Sequence, residues 1–315
     1  MEKIKLGISS CLLGEKVRYD GGHKLDHFLT DTLGKYVEWV PVCPEVESGL
    51  PVPREAMHLV GDPEEPRLIT VRTGTDHTGR MKKWANRKVA ALEREELCGF
   101  VFKSRSPSSG MRGVKIYSET GMPHATGSGI FAHAFMEQFP LLPVEDEGRL
   151  HDPTLRENFI ERIFVFKQWQ EFKKGGGSAG ELVSFHTDHK LLIMSHSQKH
   201  YGMLGKIVAR AKKAKRDELH RQYFTTIMDG LRFLTTVKKN TNVLQHMSGY
   251  FKELLSGDEK QELQEVIEHY RQELVPLIVP LTLIKHYVRK YDVKYLKRQH
   301  YLNPHPLELM LRNHV

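Results

Sequence analysis

Two of the three cysteines in this 315-residue chain stand directly after short apolar runs that read as β-strands. Cys11 follows residues 5–9, Cys43 follows residues 36–42, and a third run at 99–103 leads into a loop, 104–110, that carries Ser106, Ser108 and Ser109. If these strands are parallel, their loops leave the sheet at one edge, where open α/β sheets bind ligands. Two thiols from distant parts of the chain would then meet at one point. Position 109 is where a third converging ligand is expected, and it holds serine. Glycines at 14, 21, 22, 49 and 110 let the backbone of these loops approach a ligand closely. The third cysteine, Cys98, belongs to the far end of the third strand. Five residues at about 3.3 Å each put it roughly 17 Å from the serine loop, and it reads as a buried small hydrophobe.

The elements that must position these groups divide the chain in two. Runs at 5–9, 36–42, 99–103, 114–117 and 141–144 alternate with helical stretches near 27–34, 80–97 and 129–138. That alternation predicts an α/β domain over residues 1–150, a mostly parallel sheet covered on both faces in Rossmann-like layers. From Asp152-Pro153, a good helix start, the periodicity becomes helical, with Leu155, Phe159, Ile163 and Phe166 on one stripe. Residues 151–180 read as a bridging helix and a Gly-rich linker. Residues 181–315 read as an all-α domain, with helices at about 181–200, 203–228, 242–256, 258–274 and 281–291.

Charge follows the same division. The chain has 47 Lys and Arg against 39 Asp and Glu, a formal net charge of +8. Residues 1–150 hold 20 and 21 of these, so the excess lies wholly in the second half. Such asymmetry suits one part that does chemistry and another that meets a polyanion. Lys206, Arg210 and Lys213 recur at helical spacing, and Lys285, Arg289 and Lys290 interleave with Tyr287, Tyr291 and Tyr295. The bases suit phosphate contact, whereas the tyrosines read better as a core stripe. His186 and His189 share a helix face, and helix packing is the plainer reading of the pair. At 39% hydrophobic and 27% charged the chain is of ordinary globular composition. No apolar run reaches the roughly 20 residues of a membrane span, and the N-terminal stretch has no secretory pattern. Three scattered cysteines form no disulfide framework. A reducing cytoplasm is expected, with no membrane and no obligate protein partner.

Five segments in order carry a resemblance: 7–14 (GISSCLLG), 17–24 (VRYDGGHK), 41–45 (PVCPE), 49–54 (GLPVPR) and 106–110 (SPSSG). Together they resemble the DUF523 family, which includes thiouracil desulfidases. In the second half, 185–190 (FHTDHK), 239–243 (KNTNV), 249–252 (GYFK) and 280–287 (PLTLIKHY) resemble DUF1722. The fusion is similar to bacterial proteins that include tRNA 4-thiouridine desulfidases.

The resemblance implies a [4Fe-4S] cluster held by three cysteines, with one iron left open to the substrate sulfur as a Lewis acid. Cys11 and Cys43 match two ligand positions. The third family cysteine falls on Ser109, so the cluster is expected to be labile or absent in this chain. The implied reaction is non-redox: 4-thiouridine in tRNA becomes uridine and sulfide is released. Glu45 is the implied general base and Ser106 the implied hydroxyl that orients substrate or relays a proton. A salt bridge from Glu45 to Arg54 or Arg18 is the plainer alternative. Arg18, Tyr19, Asp20, His23 and Ser108 are candidate substrate contacts, and Lys206, Arg210, Lys213, Lys285, Arg289 and Lys290 are candidate RNA contacts. Two other functions stay open: desulfidation of free thiouracil or thiolated nucleotides, and RNA binding by a chain whose cluster site has lapsed.

Overall fold

The first strand, IKLGIS, is buried along almost its whole length, as expected of a central strand covered on both faces. The computed structural model describes residues 3–306 together with Leu309, Leu311 and Arg312. The chain divides into two compact units between Asp152 and Pro153.

In chain order the first unit contains β1 (Ile4–Ser9), β2 (Val37–Val42), α1 (Pro44–Glu47), β3 (Met57–Val60), β4 (Arg67–Thr70), α2 (Thr78–Leu92), β5 (Gly99–Phe102), β6 (Val114–Tyr117), β7 (Pro123–Gly127), α3 (Ile130–Gln138) and β8 (Val144–Asp146). The main sheet has the order β2-β1-β5-β8 and every pairing in it is parallel. Gly7 of β1 lies under the ring of Phe100, so closely that a Cβ there would sit 2.1 Å from Phe100 Cδ2. Phe100 and Phe102 of β5 pack with Phe131 and Phe135 of α3 in one aromatic cluster. Burying each such ring is worth about 1.5–3 kcal/mol, and this cluster anchors β5 and the loop that follows it.

Three expectations need correction. The fourth run, β6, does not join the parallel sheet. It lies in a second, mixed sheet of order β4-β3-β6-β7, whose other three strands have no clear apolar alternation. The stretch near 27–34 forms a π-turn at Phe28–Thr32 followed by a 3₁₀ turn rather than a regular helix. The last strand begins at Val144, three residues later than its apolar run suggested.

The second unit is helical: α4 (Pro153–Lys174), α5 (Ala179–His196), α6 (Gln198–Ala209), α7 (Arg216–Leu231), α8 (Val237–Ser248), α9 (Gly257–Arg271), α10 (Ile278–Lys290) and α11 (Lys294–Lys297). The Gly-rich stretch lies inside this unit as the turn between α4 and α5. Gly176 and Gly177 both have positive φ, and a Cβ on Gly177 would sit 2.7 Å from His220 Cε1. Ser178 and Glu181 then form a capping box that restarts the chain as α5. The expected helix 181–200 breaks at Ser197, which caps α6, and 203–228 breaks after Ala209. The buried face of α4 carries Glu157 and Glu161, both bonded to Arg312. No helix among the described residues is long and apolar enough to cross a membrane.

Candidate active site

Because β1, β2 and β5 are parallel neighbours, the segments after them emerge at the same sheet edge. Cys11 sits in the 3₁₀ turn Ser10–Leu13 directly after β1. Its carbonyl accepts the Lys24 N–H at 2.8 Å, folding the 14–24 loop back over the turn. Gly14, with φ 91°, makes the left-handed exit from that turn. Cys43 is the N-cap of α1, with Pro44 in the first turn. Its N–H donates to Glu47 Oε1 at 2.9 Å, and Lys88 holds Glu47 from α2 at 2.9 Å.

The serine loop closes on itself. Gly110 N donates to Ser106 O at 2.8 Å, and any Cβ on Gly110 would lie 2.5 Å from Val114 Cγ2, so only glycine fits the turn. Ser106 Oγ accepts the N–H of Ser109 at 3.1 Å and of Ser108 at 3.3 Å. The Ser108 carbonyl accepts the Phe131 N–H of α3 at 2.9 Å, which ties the loop to that helix.

One cavity of about 930 Å³ opens at this edge, and Cys11, Cys43, Glu45, Ser106, Ser109, Arg18 and Tyr19 all line it. Cys11 and Cys43 are both free and each is 8% exposed. Glu45 Oε1 accepts from Ser108 Oγ at 2.6 Å. Its Oε2 stands 3.7 Å from Cys43 Sγ and 3.8 Å from Arg54 Nη2. Ser106 Oγ and Ser108 Oγ are 3.0 Å apart, so a chain of hydroxyls runs from the cavity wall to Glu45. Arg54 donates through Nη1 to Val17 O at 3.0 Å, while its buried Nε meets no acceptor among the described residues.

Burial pushes both thiols up, Cys11 to about 11 and Cys43 to about 12, and the negative charge of Glu45 adds to this at each. Lys103 and Arg18 oppose the shift at Cys11. Without a positive guest both cysteines are therefore neutral thiols at physiological pH. A metal group would have to displace their protons. The donor set that such a group would meet is two thiols and the Ser109 hydroxyl. Two of the three suit iron–sulfur ligation, and the third is a harder oxygen that is far more difficult to ionise.

Other residues singled out from sequence lie elsewhere. Ser108 does not line the cavity and turns instead to Glu45. Asp20 faces solvent, accepts the Gly22 N–H at 3.0 Å and stands 3.5 Å from Arg18. His23 accepts the Leu25 N–H. Neither residue lines the cavity. Cys98 is 1% exposed, just before β5 at the opposite end of the sheet. Arg54, Lys103, Arg112, Asp146 and Arg149 line the cavity but were not singled out as site residues. The acidic run 145–147 at the end of a strand on this edge was the available signal for Asp146.

In the helical unit, Lys206, Arg210 and Lys213 are exposed. They do not share one helix face, because α6 ends at Ala209 and Arg210 and Lys213 stand in the turn before α7. Lys285 is half-buried and Arg289 exposed, while Lys290 pairs with Glu259 at 2.6 Å. Of the tyrosines read as a core stripe, Tyr287 is buried, whereas Tyr291 and Tyr295 are only half-buried. His189 lies against Phe185 O and Gln168, and His186 Nδ1 lies 3.2 Å from Tyr223 Oη, so both histidines are taken up by helix packing.

Two family models match separate stretches of the chain. The one described as 2-thiouracil desulfurase matches residues 6–147. A second, described as a protein of unknown function (DUF1722), matches residues 190–306. The uncharacterized protein YbgA of Escherichia coli (strain K12) is 33% identical over 158 residues, covering 50% of this chain and 94% of that protein. The uncharacterized protein YbbK of Bacillus subtilis (strain 168) is 28% identical over 130 residues, covering 40% of this chain and 85% of that protein. A solved structure described as the [4Fe-4S]-dependent thiouracil desulfidase TudS is 28% identical, covers 48% of this chain and 95% of its own, and superposes with a TM-score of 0.39.

Proposed function

Since the chain belongs to the family of Escherichia coli YbgA and joins a 2-thiouracil desulfurase domain to a DUF1722 domain, we propose that it is a non-redox desulfidase that converts 4-thiouridine in tRNA to uridine and releases sulfide. The observation that carries this reading is the shared cavity: two free thiols, a carboxylate and a hydroxyl chain meet there at the edge of a parallel sheet. Cys11 and Cys43 would hold a [4Fe-4S] cluster, with Ser109 at the third ligand position. Such a cluster supplies a thiophilic Lewis acid for the substrate sulfur.

The chain's own residues do the rest. Glu45 Oε2, which Cys43 and Arg54 approach at 3.7 and 3.8 Å while Ser108 holds Oε1, takes a proton from the water that attacks C4. Ser106 lines the cavity and passes protons along its hydroxyl contact with Ser108. Tyr19, 44% exposed at the cavity wall with Arg18 5.4 Å from its ring centre, offers a face on which a swung-out base can stack. The excess positive charge of the second half, with Lys206, Arg210 and Lys213 exposed and free of ion pairs among the described residues, supports a polyanionic substrate. A free base would need no such surface.

Ser109 favours a second reading, in which the cluster site has lapsed and the protein only binds RNA. Anaerobic reconstitution of the parent and of Ser109→Cys, followed by loss of the thiouridine absorbance band from bulk tRNA, tests both. Turnover of tRNA supports the desulfidase. Turnover of free thiouracil alone shifts the substrate to the small base. Tight tRNA binding with no turnover by either form leaves the lapsed site.

A further inference from the structure

The cavity holds a second carboxyl that the mechanism above leaves idle. β8 ends on Asp146, which pairs in register with Phe102 of β5, so Asp146 stands at the same sheet edge as the loop that begins at Lys103. It lines the cavity and is 6% exposed. Its Oδ1 accepts the Arg149 N–H at 3.0 Å. Its Oδ2 has no hydrogen bond among the described residues.

The cations around it are spent on its neighbours. Glu145 Oε1 takes Arg149 Nε at 2.8 Å and Arg112 Nη2 at 3.2 Å. Glu147 takes the Lys103 ammonium and accepts the Ser104 N–H at 2.7 Å. The charged groups that act on Asp146 are Glu145 and Glu147 beside it in the chain and Arg112 from the loop before β6, with Arg149 of the following turn bonded through its backbone N–H and Lys103, at the end of β5, held by Glu147. Each of those cations is bonded to a flanking glutamate, and Asp146 has no ion pair among the described residues. Burial raises its pKa. The Arg149 N–H bond opposes this, Glu145 and Glu147 add to it, and Arg112 opposes it.

We propose that Asp146 is a second catalytic carboxyl of this cavity, the acid that protonates the departing sulfur. The proposal rests on the desulfidase reading and assigns the half of the proton inventory that Glu45 does not cover. Water oxygen bonds to C4, and one water proton passes to Glu45. Asp146 gives its proton to the sulfur of the resulting tetrahedral centre. The C4–S bond breaks with its electron pair on sulfur, which leaves as hydrosulfide. The remaining proton on the new C4 hydroxyl returns to Asp146 as the carbonyl forms, and Glu45 gives its proton to hydrosulfide. The sum is C=S plus water to C=O plus hydrogen sulfide, with no change of oxidation state. An acid must be protonated to serve, so activity falls as pH rises through the Asp146 titration.

Asp146→Asn is the decisive variant, because asparagine keeps an oxygen for the Arg149 N–H and preserves the turn. It is compared with the parent, each with and without Ser109→Cys, after anaerobic reconstitution and with 4-thiouridine-containing tRNA as probe. The expected result is a fall in kcat of about 10²-fold or more with KM unchanged, loss of the basic limb of the kcat profile, and recovery of much of the rate in Asp146→Glu. Difference infrared spectroscopy of the unreconstituted full chain over a pH series adds a readout that needs no turnover: a protonated-carboxyl band that persists to higher pH than that of an ordinary aspartate and that Asp146→Asn removes. No turnover by either the parent or Ser109→Cys overturns the desulfidase reading itself. Asp146→Asn at the full rate of an active background, parent or Ser109→Cys, or the absence of that infrared band, overturns the role of Asp146 alone.

Discussion

Ser108 Oγ donates to Glu45 Oε1 at 2.6 Å across 63 residues of sequence. The bond divides the two carboxylate oxygens: Oε1 accepts from Ser108, and Oε2 accepts from the Cys43 thiol and pairs with Arg54. It also makes Ser108 an internal brace for Glu45, while Ser106 keeps the hydroxyl that lines the cavity.

The two groups should therefore separate in kinetics. Glu45→Gln removes the base and should lower kcat by about 10²- to 10⁴-fold. Ser108→Ala removes one charge-assisted hydrogen bond, worth roughly 1.5–3 kcal/mol, and should lower kcat by about 10- to 100-fold. Steady-state rates on thiolated tRNA check both, and a Ser108→Ala enzyme at full rate would show that Glu45 positions itself.

Replacing serine by cysteine at 109 restores a third thiol to a cavity that already has two. Ser109→Cys should raise both iron and acid-labile sulfide per chain after reconstitution. Metal and sulfide assays on desalted protein decide this, and an unchanged content would remove position 109 from the ligand set.

Lys206, Arg210 and Lys213 reach solvent from α6 and the turn after it. Reversing all three charges should weaken tRNA binding. The slope of log affinity against log salt should become shallower by about 0.9 for each duplex phosphate that is no longer neutralised, and by about 0.7 for each single-strand phosphate. Filter binding over a salt series reads it out, and identical slopes would mean that these bases are merely solvated.

Arg312 is 4% exposed and bridges Glu157 and Glu161 of α4. Burial and the charge of Glu161 raise Glu157 to about 7. Glu161 is drawn down to about 2 despite its burial, because Arg312 and His196 both bond it. Arg312→Met should cost about 3–5 kcal/mol, since it leaves buried carboxylates without their cation. Urea denaturation of the full chain measures this, and an unshifted transition midpoint would show that the cluster relaxes at no cost.

Read by itself, the order of residues determined more of the site than of the fold around it. Strands β1, β2 and β5 were legible because continuous apolar runs of β-branched and aromatic residues have few other uses, and once they are parallel their loops must share an edge. Cys11, Cys43, Ser106 and Ser109 converge for that reason. The second sheet was illegible because β3, β4 and β7 are short and lack a clear period, and because its two local antiparallel pairs, β3 with β4 and β6 with β7, are joined only through the long-range pairing of β3 with β6. The breaks at Ser197 and after Ala209 were blurred because they are set by local caps and turns inside otherwise helical periodicity, and the burial of Glu157 and Glu161 on α4, which periodicity assigns to water, is made tolerable by Arg312 and, at Glu161, also by His196. Tertiary structure alone decided that Ser108 serves Glu45, that Asp20 and His23 stay outside the cavity, and that Asp146 stands inside it with no ion pair among the described residues. Each of these depends on where a side chain finds its hydrogen-bond partner in space, and spacing along a chain does not encode that.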